Sequence, residues 1–153
     1  MNKSNTINIL LADDDRDDCL FFKEAIDELS IPATLTMVND GEQLMQHLET
    51  NAENLPDALF LDLNMPRKNG FECLTEIKKH PILKDLPVII HSTSYNVDIA
   101  NQLYNTGANY YICKPSDFEE LKNTIYNAIV RVKQNFKQTP IENFLINKFK
   151  AAF

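Results

Sequence analysis

Five short apolar segments alternate with five longer amphipathic segments over residues 1–135. The apolar segments are predicted to be strands: Ile7–Ala12, Ala33–Val38, Ala58–Leu61, Val88–His91 and Tyr110–Cys113. Most are continuous apolar runs, which is typical of parallel strands covered on both faces. The second segment alternates instead, with Ala33, Leu35 and Met37 on one side, and this favours an edge position in the sheet.

The amphipathic segments predict helices, and the residues at their ends support the assignment. The expected helices run near Asp17–Leu29, Gly41–Thr50, Gly70–Lys79, Val97–Thr106 and Ser116–Asn135. Three starts pair a polar N-cap with a Glu three residues later: Asn39 with Glu42, Asn69 with Glu72, and Ser116 with Glu119. Gly107 is predicted to end the fourth helix in the left-handed conformation. The repeated strand–helix alternation predicts an α/β fold with a parallel sheet and right-handed crossovers.

Residues 136–153 follow the last of these helices and predict a separate C-terminal amphipathic helical tail. Thr139 is its expected N-cap, Pro140 its first helical residue, and Glu142 would complete a capping box. At helical spacing one face would carry the apolar residues Ile141, Phe144, Leu145, Phe149 and Phe153. Such a face must dock, and we expect it to dock on its own domain, on a second copy or on an external partner.

Composition and charge narrow the range of functions. The chain has 153 residues and a net charge of −7, which argues against a nucleic-acid binder because such proteins need a basic face. Cys19, Cys73 and Cys113 are odd in number and widely spaced, so reduced thiols are expected rather than disulfides or a zinc site. The sequence shows no signal peptide and no run long enough to span a membrane, so we expect a cytoplasmic protein.

Polar side chains follow four of the predicted strands. Asp13 and Asp14 follow the first strand, Asp62 the third, Ser92 the fourth and Lys114 the fifth. Because the carboxyl ends of parallel strands open on the same edge of a sheet, these groups are expected to converge. Carboxylate oxygens are the ligands that Mg²⁺ prefers. A metal-bound carboxylate beside an amine can attack a phosphoryl group and stabilise the charge that develops.

The segments at these strand ends resemble the receiver domain of bacterial two-component response regulators. The matching motifs are LLADDD (Leu10–Asp15), LDLNMPRKNG (Leu61–Gly70), VIIHSTS (Val88–Ser94) and YYICKP (Tyr110–Pro115). The resemblance covers about residues 6–135 and implies a receiver domain over residues 1–135. It also implies a flavodoxin-like, doubly wound, five-stranded parallel sheet in the order 2-1-3-4-5, to which the C-terminal helix is appended.

The resemblance assigns a role to each acidic residue of the site. Asp62 matches the phosphoacceptor of the family. Asp13 and Asp14 match the acidic pair that holds Mg²⁺ together with Asp62. Asn64 matches the residue whose backbone carbonyl completes the protein ligands. No other cofactor is expected.

The remaining roles fall on the fourth and fifth strands. Lys114 matches the lysine that pairs with the phosphoryl group, and its bond to Pro115 is commonly cis in the family. Ser92 matches the switch hydroxyl, where the family more often has Thr. Tyr111 matches the aromatic that turns inward when the hydroxyl is drawn toward the phosphate. Thr93 replaces the usual Ala, which affects phosphoryl access and lifetime rather than the chemistry.

The function implied is that of a single-domain response regulator. Asp62 would accept a phosphoryl group from a sensor histidine kinase or a phosphotransfer protein in a Mg²⁺-dependent step. The chain would phosphorylate and dephosphorylate itself without being a turnover enzyme, and it would signal by protein contact. The long RKNG loop and the segment HPILKDLP look most like those of stand-alone receivers that serve phytochrome-type and similar sensor kinases. A homodimer could form through the fourth helix, fifth strand and fifth helix or through the tail; no nucleic-acid or membrane partner is expected.

Three other interpretations stay open from the sequence. A receiver-like module could bind partners constitutively without phosphate. A haloacid-dehalogenase-type phosphatase also has Asp-x-Asp after its first strand, as Asp13 and Asp15 do here. The run DDDRDD is similar to a calcium loop, although Asp18 stands where that loop needs Gly. Asp17 and Asp18 otherwise fit a role at the N-terminus of the first helix, where acids favour the helix dipole.

Overall fold

Five parallel strands form one sheet within residues 5–147, the part of the chain that the computed structural model describes. They are β1 (Ile7–Ala12), β2 (Ala33–Val38), β3 (Ala58–Leu61), β4 (Val88–Ser92) and β5 (Tyr110–Cys113). Their order is β2-β1-β3-β4-β5, which confirms the predicted order. Every residue of β3, β4 and β5 is buried, whereas β2 is largely half-buried or exposed, as expected for an edge strand.

Helices cover both faces of this sheet. They are α1 (Arg16–Glu28), α2 (Gly41–Thr50), α3 (Gly70–Lys79), α4 (Val97–Thr106) and α5 (Phe118–Gln134). The apolar residues of α1 and α5 share one core cluster with one face of the sheet, and those of α2, α3 and α4 share another with the opposite face. Two layers of helices around a parallel sheet are the doubly wound arrangement that the alternating pattern predicts.

The helix ends follow from local chemistry, with two corrections to the predicted caps. Asn69 forms the predicted capping box with Glu72, and Gly107 ends α4 with a φ of 119°. The N-cap of α2 is Asp40 rather than Asn39, and that of α5 is Asp117 rather than Ser116. In both cases a carboxylate one residue further on accepts the N–H of the third helical residue, and its charge suits the positive end of the helix dipole.

The predicted C-terminal helix is wrong in the part of the tail that the structure describes. Ile141–Asn143 form only a single 3-10 turn, and Leu145 then makes a parallel bridge to Tyr111 of β5. The N–H of Tyr111 donates to the carbonyl of Phe144 at 2.9 Å, and the N–H of Ile146 donates to the carbonyl of Tyr111 at 3.0 Å. The outer edge of β5 offers unpaired backbone groups, and pairing with them outweighs the helical pattern of the tail.

Side chains add to this attachment of the tail to its own domain. Phe144 is buried, and its ring lies edge-on to Tyr104 and Tyr111, with centroids 5.3 and 6.1 Å away. The side chain of Asn147 accepts the N–H of Cys113 and donates to its carbonyl, at 2.9 and 2.6 Å. The rest of the predicted helix, with Phe149 and Phe153, lies outside the described residues.

Candidate functional site

Three carboxylates meet at the carboxyl ends of β1 and β3, as predicted. One oxygen each of Asp13, Asp14 and Asp62 lies within 4.8 Å of the others. The pairing of Ala12 with Leu61 in the sheet brings the residues that follow them side by side, and the N–H of Asp62 donates to the carbonyl of Ala12 at 2.9 Å. Asp13 and Asp62 are buried, while Asp14 is exposed at the rim.

Lys114 reaches this cluster from the end of β5. Its Nζ lies 2.8 Å from an oxygen of Asp13, 2.8 Å from an oxygen of Asp18 and 3.7 Å from an oxygen of Asp62. Its backbone N–H donates to the carbonyl of Ser92, which fixes the start of the side chain beside β4. Burial disfavours the charged ammonium, but the contacts with Asp13 and Asp18 outweigh burial and raise the pKa of Lys114.

Two features around Lys114 differ from the expectations. The sequence predicted only a helix-dipole role for Asp18, whereas the structure pairs it with Lys114 across 96 residues of chain. No local spacing in the sequence indicates this contact, because it joins the first turn of α1 to the end of β5. No cis peptide occurs among residues 5–147, so the Lys114–Pro115 bond is trans rather than cis, the isomer that even proline prefers.

Asp62 is a carboxylate in a poorly solvated position. Burial raises its pKa to about 6 and the neighbouring Asp13 adds to the rise, while Lys114 and the N–H of Asn64 act in the opposite direction. That N–H lies 3.5 Å from Oδ1 of Asp62. At neutral pH the ionised form still predominates, and few hydrogen bonds stabilise it. Asp62 is therefore suited to act as a nucleophile.

The loop that carries Asn64 returns to Asp62 because of a glycine. The N–H of Gly70 donates to the carbonyl of Leu63 at 2.9 Å, and this closes the loop. A Cβ on Gly70 would lie 2.2 Å from the carbonyl oxygen of Asp62, so a larger residue cannot stand there without moving the strand end. The MPRKNG segment thus holds Asn64 beside the carboxylates.

The donor set fits a hard divalent cation. It consists of carboxylate oxygens, two of them buried, with an exposed rim where water can complete the coordination. Asp13 Oδ2 is buried and accepts no well-aligned hydrogen bond from the described residues, although it forms an ion pair with Lys114. A cation that binds this oxygen would compete with the ammonium of Lys114 for it.

A chain of polar contacts leads from this edge toward β5. Ser92 is buried, and its Oγ accepts the N–H of Ser94 and faces the Oγ of Ser94, both at 3.3 Å. The hydroxyl of Tyr111 donates to the carbonyl of Ser94. Tyr111 is 1% exposed, so its ring already lies inward. Ser94 was not predicted as a site residue, because its contacts depend on the turn after β4 rather than on any motif.

The structure weakens the phosphatase interpretation. That pattern requires Asp15 as a second acid in the site. Asp15 is instead exposed and caps α1, with its side chain accepting the N–H of Asp18 at 3.0 Å. The residue beside Asp13 that contributes to the site is Asp14.

Comparisons with known proteins agree with this geometry. A family model of the response regulator receiver domain matches residues 9–126. Response regulator Rcp1 of Synechocystis is 34% identical over 117 residues, covering 74% of this chain and 80% of Rcp1. The probable methanogenesis regulatory protein FilR2 of Methanothrix harundinacea is 31% identical over 120 residues, covering 76% of this chain and 77% of FilR2.

Solved structures show the same similarity. The Mn²⁺-bound form of Rcp1 has a TM-score of 0.71 at 33% identity and covers 79% of this chain and 90% of its own. The phosphorylated cyanobacterial phytochrome response regulator RcpA has a TM-score of 0.74 at 33% identity, and the match covers 88% of this chain and 99% of the RcpA chain. No helix among the described residues is long and apolar enough to cross a membrane. The chain belongs to the response regulator receiver domain family of two-component systems, and its fold is the flavodoxin-like fold of that family.

Proposed function

We propose that this receiver accepts a phosphoryl group on Asp62 from a sensor histidine kinase or a histidine phosphotransfer protein, in a Mg²⁺-dependent step, and signals by protein–protein contact. The observation that carries the proposal is the convergence of Asp13, Asp14 and Asp62 with the ammonium of Lys114 at one edge of the sheet. Three negative charges and one cation at that edge suit a phosphoryl group arriving together with a divalent metal.

The proposed transfer uses Asp62 as the nucleophile. A carboxylate oxygen forms a bond to phosphorus while the bond from phosphorus to the donor histidine nitrogen breaks, and that nitrogen keeps the electron pair. Lys114 donates a hydrogen bond to a phosphoryl oxygen. Asp13, Asp14 and Asp62, with the backbone carbonyl of Asn64, would hold Mg²⁺, which offsets the negative charge of the carboxylates and the phosphoryl oxygens.

Two relatives support the metal and the modification. The solved form of Rcp1 is Mn²⁺-bound, and that of RcpA is phosphorylated. Mn²⁺ and Mg²⁺ both favour oxygen ligands, and carboxylate oxygens form the donor set in this chain. Slow hydrolysis of the phosphoryl group by the same site would end the signal, so the domain acts as a switch and not as a turnover enzyme.

The output is proposed to pass through Ser92. A phosphoryl oxygen would attract its hydroxyl and so loosen the contacts with Ser94 that hold the hydroxyl of Tyr111. Tyr111 in turn contacts the tail through its ring and its backbone. The surface formed by α4, β5, α5 and the tail is therefore the proposed contact for a partner or a second copy.

Transfer from a small-molecule donor tests this proposal without the cognate kinase. Incubation with acetyl phosphate and Mg²⁺ is expected to add the mass of one phosphoryl group to the intact protein, and omission of the metal should abolish the gain. Asp14→Ala should require more Mg²⁺ for the same gain, because it removes a ligand rather than the nucleophile. A wild-type protein that stays unmodified at saturating Mg²⁺ would favour the constitutive interaction module instead.

A further inference from the structure

The ammonium of Lys114 is held by an acid that the proposed phosphoryl transfer does not use. A lysine ammonium has three N–H donors. Lys114 gives a hydrogen bond to Asp18 at 2.8 Å and an ion pair to Asp13 at the same distance. Its separation of 3.7 Å from Asp62 is too long for a hydrogen bond. Lys114 therefore makes its closer contacts with Asp13 and Asp18, and not with Asp62, the proposed nucleophile.

We propose that Asp18 is a positioning residue, which holds the Lys114 ammonium far enough from Asp62 for a phosphoryl group to enter between them. The inference rests on the proposed function, because it concerns the same phosphoryl site. A phosphoryl group bonded to Asp62 places its acceptor oxygens beyond the carboxylate, in the gap that now separates the two side chains. The third N–H of Lys114 can then bond one of them with little movement of the ammonium.

Asp13 cannot perform this task alone. Its carboxylate belongs to the cluster that fits a cation, so a bound metal would compete with Lys114 for it. Asp18 lies outside that cluster, on the first turn of α1, and its contact with Lys114 is aligned as a hydrogen bond. Asp18 is thus the acceptor that remains available to Lys114 when the site is loaded.

Loss of Asp18 would let Lys114 move onto the nucleophile. The Lys114 side chain is only 9% exposed and its ammonium is attracted by the charge of Asp62, so the ammonium would close the gap when its outer acceptor is missing. A direct ion pair would occupy the oxygen that must bond to phosphorus. The same movement would remove the Lys114 ammonium from the position in which it can donate a hydrogen bond to a phosphoryl oxygen.

The loss of a negative charge at residue 18 would by itself have the opposite effect on anion binding. A matched residue separates this charge effect from the loss of positioning. Asp17 carries the same charge in the same first turn of α1, is exposed, and lies outside the contacts of Lys114. Removing a negative charge near the site should by itself help an anion to bind. Asp17→Ala therefore reports the charge effect, and Asp18→Ala reports that effect together with the loss of positioning.

The test uses the full chain and beryllofluoride, which mimics a phosphoryl group on aspartate. Its dissociation constant is measured at saturating Mg²⁺ for each variant, after circular dichroism has shown that each is folded. Asp18→Ala should weaken beryllofluoride by about three- to tenfold, as expected for a partly exposed charged hydrogen bond. Asp18→Asn should recover most of the affinity because its amide oxygen still accepts from Lys114, and Asp17→Ala should bind at least as well as the wild type.

Other results overturn the inference. Asp18→Ala binding as tightly as the wild type or as Asp17→Ala would show that Asp18 does not position Lys114. An equal loss in Asp18→Ala and Asp18→Asn would show that the hydrogen bond that residue 18 accepts from Lys114 does not position the ammonium, and would also overturn the inference. A wild-type protein that does not bind beryllofluoride at all would overturn the proposed function itself, and the inference with it.

Discussion

His91 shows how the environment of one residue sets its chemistry. It lies on β4 beside Ser92, is 3% exposed, and neither ring nitrogen has a hydrogen-bond partner among the described residues. The rings of Phe22 and Phe60 flank it, with centroids 5.5 and 6.4 Å away. Burial, and then the positive charge of Lys114, lower its pKa to about 3. His91 is therefore a neutral core residue whose polar atoms cost stability.

Replacement of His91 should make the protein more stable and less sensitive to acid. Between pH 6.5 and 3 the unfolded chain binds a proton on His91 that the folded chain does not, so stability falls as pH decreases. His91→Ile should raise the free energy of unfolding by about 1 kcal/mol at pH 7, because no buried nitrogen stays unpaired. At pH 5 the difference between variant and wild type should be larger by about 2 kcal/mol. Urea unfolding of both proteins at the two pH values measures this difference; the same difference at both pH values would show that His91 is solvated or partnered.

Residue contacts that join distant elements could not be predicted from the sequence. Asp62 and Lys114 were identifiable because each ends a strand and all strand ends share an edge. The pairing of Asp18 with Lys114 depends on how α1 packs beside α5 on one face of the sheet, and no local pattern encodes that packing. Ser94 contacts Tyr111 through its backbone carbonyl, which any residue type could supply.

At the scale of elements, local patterns predicted the core well and the tail poorly. Helices α2, α3 and α4 begin and end at the predicted residues because their apolar periodicity is clear, although the N-cap of α2 is Asp40 rather than the predicted Asn39. In the tail, the apolar spacing of Ile141, Phe144 and Leu145 is also compatible with a turn followed by an extended segment. The edge of β5 decides between these conformations, and that edge exists only in the folded sheet.

The docking of the tail is tested by two apolar residues of the same segment. Phe144 is 3% exposed against Tyr104 and Tyr111, whereas Ile141 is 48% exposed. Phe144→Ala should cost about 1–3 kcal/mol of unfolding free energy, less than for a central core residue because the tail can detach instead. Ile141→Ala should cost less than about 0.5 kcal/mol. Denaturant unfolding measures both, and equal effects would contradict docking; sedimentation of the variants shows whether a second copy is involved.

At the scale of the whole molecule, the site and the tail are connected through the end of β4. Ser92 contacts Ser94, Ser94 holds Tyr111, and Tyr111 pairs with the tail. Beryllofluoride should therefore shift amide signals of the wild type across residues 92–125 and in the described tail. In Ser92→Ala the distal shifts should shrink while the signals around Asp62 still move, because the link is lost but the site is intact. Identical distal responses in both proteins would show that Ser92 does not couple the site to that surface.

The identity of the phosphorylated residue is the central claim, and the mass of the intact protein tests it most directly. Wild type and Asp62→Asn are treated in parallel with acetyl phosphate and Mg²⁺. The amide is nearly isosteric with the carboxylate and keeps the shape of the site, but it is a poor nucleophile toward phosphorus. We expect the wild type to gain the mass of one phosphoryl group and Asp62→Asn to gain none. An equal gain in Asp62→Asn would contradict the account, because the phosphoryl group would then be carried by another residue.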